Sequence, residues 1–542
     1  MPELQNLIQS YYHSWFRFHP EVAVDLGIAG YSHLLTPCGD DDIGALISLN
    51  EKLLASLDEL DDEQLDETAR VDVRLMYGAA MLELESLAEQ DWRHRQPARF
   101  LPINAIYQLT LRTVDNLHQA MKGRLDAIPA HLREARSFLI EQPEQIPLLW
   151  LDMAIEEAQH GAEYLRDLRQ HPHVQPLHFE HELEVSAHAV EQFADFLQDE
   201  LRSKAKGDFA CGEAFFERSL RYRHGLEINA NQLHAFGKKL YDDTWQALKA
   251  VTLKLRGDED IEAMTQSIQK NHPEVSTLLQ SYRTQMEEAK AFVKEKNVIP
   301  LPENEVLKVI ETPAFMRHAI PFAAYMEPAP ADVHQKGLYY VTLPKDEPSL
   351  GEHNYFSQRH TCVHEAWPGH HLQFVTANNN PEATQFPRLT NSSATLYEGW
   401  ALYCEQLMHE LGFLDQPESE FILLKDRLWR AMRVMLDVEL HTRGLSLDEA
   451  AEKMQQTLGF TREQAMGDLG WYTLAPTTPM GYATGWALMI ASRDYLQAQP
   501  GKFNLYDFHE KILGEGSIAL SYILQKQFGE SLWSKVKQTL FN

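Results

Sequence analysis

The sequence predicts a mainly α-helical protein with a small β-sheet. Apolar residues recur at helical spacing through most of the first 290 positions and again from about residue 354 onward, strand-like texture is confined to one short stretch, and no fixed repeat period organises the chain as a solenoid. Ile43, Leu46, Ile47, Leu53, Leu54, Leu57 and Leu60, then Val71, Val73, Leu75 and Met76, have the helical spacing. Gln142-Pro143, His171-Pro172 and His272-Pro273 punctuate the pattern where helices should begin or end. The segment Ile299-Pro300-Leu301-Pro302 follows a Lys/Glu-rich helical stretch and precedes a change of texture. A boundary is therefore predicted near 300, between a helical N-terminal region (1–300) and a region carrying the chemistry (301–542). Beyond it Gly337-Leu338-Tyr339-Tyr340-Val341-Thr342-Leu343, aromatic and β-branched and closed by Pro344, reads as a short strand. Helical spacing then resumes, with S/T-x-x-E/Q capping boxes at Ser446–Glu449 and Thr461–Gln464.

Composition narrows the function classes. In 542 residues, 79 Asp+Glu outweigh 49 Lys+Arg, a formal net charge of −30, and no Lys/Arg cluster focuses positive potential. Such a chain repels a phosphate backbone, so nucleic acid is excluded as a partner. The 44% hydrophobic and 10% aromatic content supports a packed core and excludes a disordered chain. No apolar run reaches about 18 residues, so no membrane span is expected. Cys38, Cys211, Cys362 and Cys404 are scattered without CxxC spacing, which indicates neither a disulfide framework nor a thiolate zinc site. The first residues, MPELQNLIQSYYHSWF, lack the basic and apolar regions of a secretory signal. A cytoplasmic protein is expected, with a periplasmic or lipoprotein form compatible only with a removed signal. The sequence sets no oligomeric state.

The chemistry concentrates in His360-Thr-Cys-Val-His364-Glu365-Ala-Trp-Pro368-Gly369-His370-His371-Leu-Gln373. In a regular H-E-x-x-H helix two imidazoles one turn apart chelate Zn²⁺ and the intervening Glu acts on the attacking water. Here the position four after His364 is Pro368, and the returning histidine is His370. Pro368-Gly369 must therefore deform the helix to bring that imidazole back to His364. His360 has the ideal spacing of four but leaves Glu365 outside the chelate, and His371, seven residues on, lies about 10 Å along a regular helix. The downstream Tyr397-Glu398-Gly399-Trp400-Ala401-Leu402-Tyr403 adds a carboxylate on the next helix, completing a two-His-plus-Glu set of His364, His370 and Glu398. His371 is then expected to support the centre or face substrate.

HEAWPGHHLQ and EGWALY, with PEVAVDLGI near the start, Glu311-Thr-Pro313, and FHEKILGEGSIAL near the end, resemble the bacterial domain-of-unknown-function family 885 over the whole chain. The resemblance implies a mostly helical, gluzincin-like zinc metallopeptidase with a deep cleft, one zinc held by His364, His370 and Glu398, and Glu365 as general base. It also implies an edge strand before the HE helix, a role that falls to the strand containing Tyr340, where an extended peptide could add by main-chain hydrogen bonds.

Outside the motif, Phe421 to Thr442 is apolar nearly all round, yet Arg433, Asp437 and His441 recur at spacings of four. Buried charges must pair, so Asp437 is expected to orient His441 as an oxyanion donor, and Arg433 to bind substrate or tie helices together. Tyr482 opens a helix after Thr478-Pro479-Met480-Gly481, where a phenol suits an oxyanion. Arg493, three turns on, is expected either to reach a substrate carboxylate or to form an ion pair. The function expected is zinc-dependent hydrolysis of short peptides, carboxypeptidase- or dipeptidase-like. The alternatives are a catalytically silent peptide-binding scaffold with a structural metal, perfected by a fourth protein ligand such as His360 or His371, and a hydrolase of other amides or esters.

Overall fold

Helices make most of the chain, and one three-stranded sheet interrupts them. The computed structural model describes residues 2–317, 320, 322–344 and 347–542. By internal contacts it divides into two compact units, Met1–Phe209 and Ala210–Asn542. The composition change near residue 300 falls inside the second unit, where the helix Leu278–Lys296 gives way to the first strand.

The first unit is helical throughout its described length. Its helix Asp40–Asp58 buries Ile43, Leu46, Leu53 and Leu57, the spacing read from sequence, and Glu67–Ala88 packs beside it. The helix Leu117–Glu141 runs through Pro129 and stops just before Pro143, which opens a short 3₁₀ turn.

The second unit carries the sheet and the motifs. Strands β1 (Glu305–Glu311), β2 (Ala323–Met326) and β3 (Gln335–Val341) pair in the order β1-β3-β2. β3 lies parallel to β1, with Val309 opposite Tyr339, and antiparallel to β2, with Ala324 opposite Tyr340. This corrects the expectation of an edge strand at Tyr340: β3 is central, it pairs on both sides over Leu338–Val341, and Tyr340 is 2% exposed. No peptide can add to β3 beside Tyr340, where both flanks are taken.

After the sheet come the HE helix (Tyr355–Glu365), a shorter helix (His370–Asn378) and the EGW helix (Ala394–Glu410). The long helix Pro417–Thr442 and the Tyr482 helix (Gly481–Ala498) follow, and the helices Leu447–Leu458 and Arg462–Leu474 between them both start with the capping boxes read from sequence. The EGW and Tyr482 helices pack at backbone contact, with Gly399 against Gly485. A Cβ on Gly485 would overlap the Thr395 carbonyl oxygen and the Gly399 Cα, both backbone atoms that cannot swing aside. No helix among the described residues is long and apolar enough to cross a membrane.

Gly485→Ala should therefore force these helices apart and lower the unfolding free energy by about 1–3 kcal/mol, the usual cost of overpacking. The control is Gly467→Ala, in the helix Arg462–Leu474, where a Cβ meets nothing within 4 Å. Denaturant midpoints should fall for the first and hold or rise for the second.

Candidate metal centre

The HE helix starts at Asn354, whose side chain accepts the Ser357 N–H at 2.9 Å, and ends at Glu365. The chain then breaks instead of kinking. Pro368-Gly369 folds back over the last turn of the HE helix, the Gly369 N–H reaching the Val363 carbonyl at 3.0 Å, and a new helix begins at His370. Position 369 has to be glycine because a Cβ would overlap the His364 carbonyl oxygen. The Trp400 indole of the EGW helix donates to the Pro368 carbonyl at 2.8 Å and pins the fold-back.

This break brings His370 to His364, with the two rings nearly perpendicular at 84° and 4.9 Å apart. Glu398, on the EGW helix, puts Oε2 at 3.6 Å from His364 Nε2 and 3.3 Å from His370 Nε2. Ligand atoms of these three side chains all lie within 4.8 Å of one another. Two ligands each about 2.1 Å from a tetrahedral metal stand roughly 3.4 Å apart, so the donor set and its spacing fit zinc. Among the described residues, buried His370 Nδ1 and Glu398 Oε2 also have no hydrogen-bond partner, a costly condition that a cation at the trio would relieve for the carboxylate.

Sequence reasoning missed Glu405. It stands two turns after Glu398 on the same helix face, 2% exposed, and accepts from His364 Nδ1 at 2.8 Å. A ligating histidine held at its other nitrogen by a carboxylate has its tautomer and ring orientation set. The seven-residue spacing from Glu398 was the available signal. Electrostatics follow from this crowding. Burial opposes ionisation of Glu398, yet the His370 and His364 imidazoles hold its carboxyl well below the ordinary range. Glu405 is held low in the same way by His360 and His364. Burial disfavours a charged His364, but Glu398 and Glu405 on its two sides outweigh that and raise its pKa to about 10. Negative charge thus converges on one imidazole, an arrangement that favours a cation.

The other residues singled out from sequence divide into those near the trio and those tied elsewhere. Glu365 is partly exposed, and no hydrogen bond or ion pair engages its carboxylate among the described residues. The Tyr482 phenol faces Glu398; burial and that negative charge raise its pKa. Arg433 lies behind Tyr482, its guanidinium 4.6 Å from the ring centroid, donating to the Tyr472 hydroxyl at 2.7 Å with Asp468 at 3.6 Å. His360 does not join the trio: its Nδ1 lies 3.8 Å from the far oxygen of Glu405.

His371 is fully buried with both ring nitrogens engaged, Nε2 with Glu305 of β1 at 2.9 Å and Nδ1 with the Tyr325 hydroxyl of β2 at 3.0 Å. It sutures sheet to helix, so the expectation that it faces substrate is replaced by a structural role. Glu305 also meets Lys290 at 2.5 Å; burial raises its pKa, and the hydrogen bonds from His371 and Lys290 lower it further than that. His441 is likewise committed, its Nδ1 accepting the Cys211 N–H at 3.4 Å and its Nε2 bonded to the Tyr472 carbonyl at 3.0 Å. With no N–H left to offer, it is not an oxyanion donor in this arrangement. Asp437, 3.9 Å from it, accepts the Thr477 and Met480 N–H groups instead and braces the turn before Tyr482. Arg493 forms a two-pronged ion pair with Glu410 at 2.7 and 3.1 Å, the structural alternative of the two.

The family model described as "Bacterial protein of unknown function (DUF885)" matches residues 20–526. The chain belongs to this family. Two solved structures share the fold of this DUF885 protein. One, described as "a putative lipoprotein of unknown function" from Shewanella oneidensis, is 20% identical with a TM-score of 0.79, covering 97% of this chain and 99% of that one. The other, from Colwellia psychrerythraea and also described as a "putative lipoprotein", is 18% identical with a TM-score of 0.80, covering 99% of each chain. No curated protein matches the chain.

Single substitutions separate ligands from supports. His370→Ala should abolish zinc binding, whereas His371→Ala should retain one equivalent per folded chain. Glu405→Gln should weaken zinc by about 10–100-fold in competition with a chromophoric chelator, the usual effect of losing a partner behind a ligand. Zinc retained by the His370 variant, or lost from the His371 variant, would overturn the assignment.

Proposed function

We propose that this DUF885 protein is a zinc-dependent hydrolase of peptide bonds in short peptides. The observation that carries the reading is the convergence of His364, His370 and Glu398, with no fourth protein ligand among the described residues and an unengaged carboxylate, Glu365, next to the first ligand. A structural zinc usually takes four protein ligands, whereas a catalytic one takes three and keeps a position open. Zinc at this set supplies a Lewis acid that polarises the scissile carbonyl and acidifies the attacking water.

The chain's own residues do the remaining work. Glu365 accepts a proton from the water as its oxygen attacks the carbonyl carbon, then returns it to the leaving amine as the C–N bond breaks. The products are a carboxylate and an amine. Glu405 keeps His364 in the orientation that presents Nε2 to the trio. The Tyr482 hydroxyl, beside Glu398, donates where negative charge develops on the carbonyl oxygen. Arg433, stacked between the Trp429 and Tyr482 rings at 4.2 and 4.6 Å, holds that phenol in place. The lipoprotein descriptions of the two solved structures bring an envelope location into the reading beside the cytoplasmic one.

Metal analysis of the purified protein, with a peptide-library digest read by mass spectrometry with and without chelator, tests the reading; an intact library at full zinc loading sinks it. Glu365→Gln should keep zinc and fold while turnover falls by orders of magnitude, because an amide cannot accept the proton. Tyr482→Phe should lower kcat by about 10²–10³, the scale of one oxyanion donor, with KM little changed. A rise in KM at constant kcat would instead make Tyr482 a ground-state binder.

A further inference from the structure

The helix Glu213–His224 ends at the starts of the two helices that carry Glu398 and Tyr482. His224 is fully buried and bonded on both sides, Nδ1 to the hydroxyl of Ser393 at 2.8 Å and Nε2 to that of Thr477 at 3.1 Å. Ser393 caps the EGW helix, and Thr477, at φ 67°, lies in the turn before the Tyr482 helix. The Ser521 hydroxyl donates to the His224 carbonyl at 2.7 Å. The backbone at the end of this helix is thereby clamped, and the side chain of Arg223 leaves from that clamped point.

Arg223 differs from the other cations near the trio. Arg430, Arg433 and Arg493 face Asp426, Asp468 and Glu410 at 3.3, 3.6 and 2.7 Å. No carboxylate pairs with Arg223 and no acceptor hydrogen-bonds it among the described residues. Its side chain is exposed, although burial of its surroundings lowers its pKa, and it leaves the backbone one residue before the clamp on Ser393 and Thr477. Tyr397, Asp437 and Cys211 are the ionisable groups near enough to influence it. Asp437 is already spent on two backbone N–H groups. Tyr397 is next to Glu398, its ring 6.5 Å from that of His370, and no partner engages its hydroxyl among the described residues.

We propose that Arg223, with the Tyr397 hydroxyl, binds the free C-terminal carboxylate of the substrate, so that the protein cleaves near the C-terminal end of short peptides. The inference rests on the hydrolytic reading, which supplies the substrate. A guanidinium presents a planar fork that matches a carboxylate, and a partly dehydrated, unpaired one gains most from an anion. In a chain of net charge −30, an unneutralised cation beside the trio is where an anionic substrate group is favoured. The Tyr397 ring lies 6.5 Å from that of His370, so a carboxylate held there lies close to the peptide bond presented to the trio.

The test uses the zinc-loaded full chain carrying Glu365→Gln, with N-acetyl-trialanine as the free acid and as the C-terminal amide, by calorimetry. The acid should bind about tenfold or more tightly than the amide, the scale of one charge-assisted pair. Adding Arg223→Gln should erase the difference by weakening the acid alone, and Arg223→Lys should restore part of it. Arg221→Gln, an equal change of charge at an exposed neighbour, should preserve it. Equal affinities for acid and amide, no binding of either, or equal weakening of both by Arg223→Gln overturns the proposal. Turnover by the unaltered protein on the peptide library judges the hydrolytic reading separately.

Discussion

Glu398 and Glu405 stand two turns apart on one helix, and the imidazole of His364 is held with one ring nitrogen toward each. That sandwich constrains everything around it. Two carboxylates on a single rigid helix cannot adjust independently, so the HE helix must present His364 at one height and one rotation. The EGW helix must in turn be set with backbone precision. Its neighbours do this: Gly399 seats directly on Gly485, the Ser393 cap is bonded by His224 and by the Ser517 carbonyl, and the Trp400 indole locks the Pro368 fold-back that delivers His370. The EGW motif is thus one member of the His364/His370/Glu398 trio followed by two positioning residues.

Gathering Glu398, Glu405, His360, His364 and His370 in so little space is expensive without compensation. Isolated buried charges cost several kcal/mol each, and removing one partner leaves the other uncompensated. The local answers are hydrogen bonds to His364 and, for Glu398, a geometry suited to a cation. Metal binding at such a set is coupled to folding free energy, because the unfolded chain does not hold the ligands together. The positive side chains nearby are assigned differently. Arg433 is boxed by Trp429, Trp471, Tyr472 and Tyr482 and Arg493 is neutralised by Glu410, whereas Arg223 has no carboxylate partner among the described residues.

The small sheet contributes position more than surface. Its central strand is mostly buried and pairs on both sides over Leu338–Val341, and its two outer strands send Glu305 and Tyr325 to one histidine, His371. Because His371 follows His370 directly, the suture also anchors the first turn of the helix on which the second ligand sits. A Cβ at Gly337 of β3 would crowd both His371 and Tyr325, so the strand approaches as closely as a glycine allows. Adjacent histidines with opposite duties follow from helix geometry, since successive residues point about 100° apart.

Much of this was legible in the sequence, for a physical reason. Helices with their 3.6-residue period, proline stops and capping boxes are written in local chemistry, and so were the mainly α fold and the boxes at Ser446 and Thr461. The convergence of His364, His370 and Glu398 was legible because those residue types recur close together in the sequence, and Pro368-Gly369 marked where the HE helix had to yield. Only the tertiary structure decided which surroundings each side chain meets. Strands β1 and β2 each pair with β3 across 30 residues or fewer, yet neither carries the aromatic and β-branched run that marks β3, so neither the sheet order nor the central place of Tyr340 could be read. The partners of His371, His441 and Arg493, the reach of Glu405 to His364 and the unpaired state of Arg223 depend on contacts between segments up to 230 residues apart, as for Cys211 and His441. Spacing along a helix tells which face a residue takes; only packing tells what that face touches.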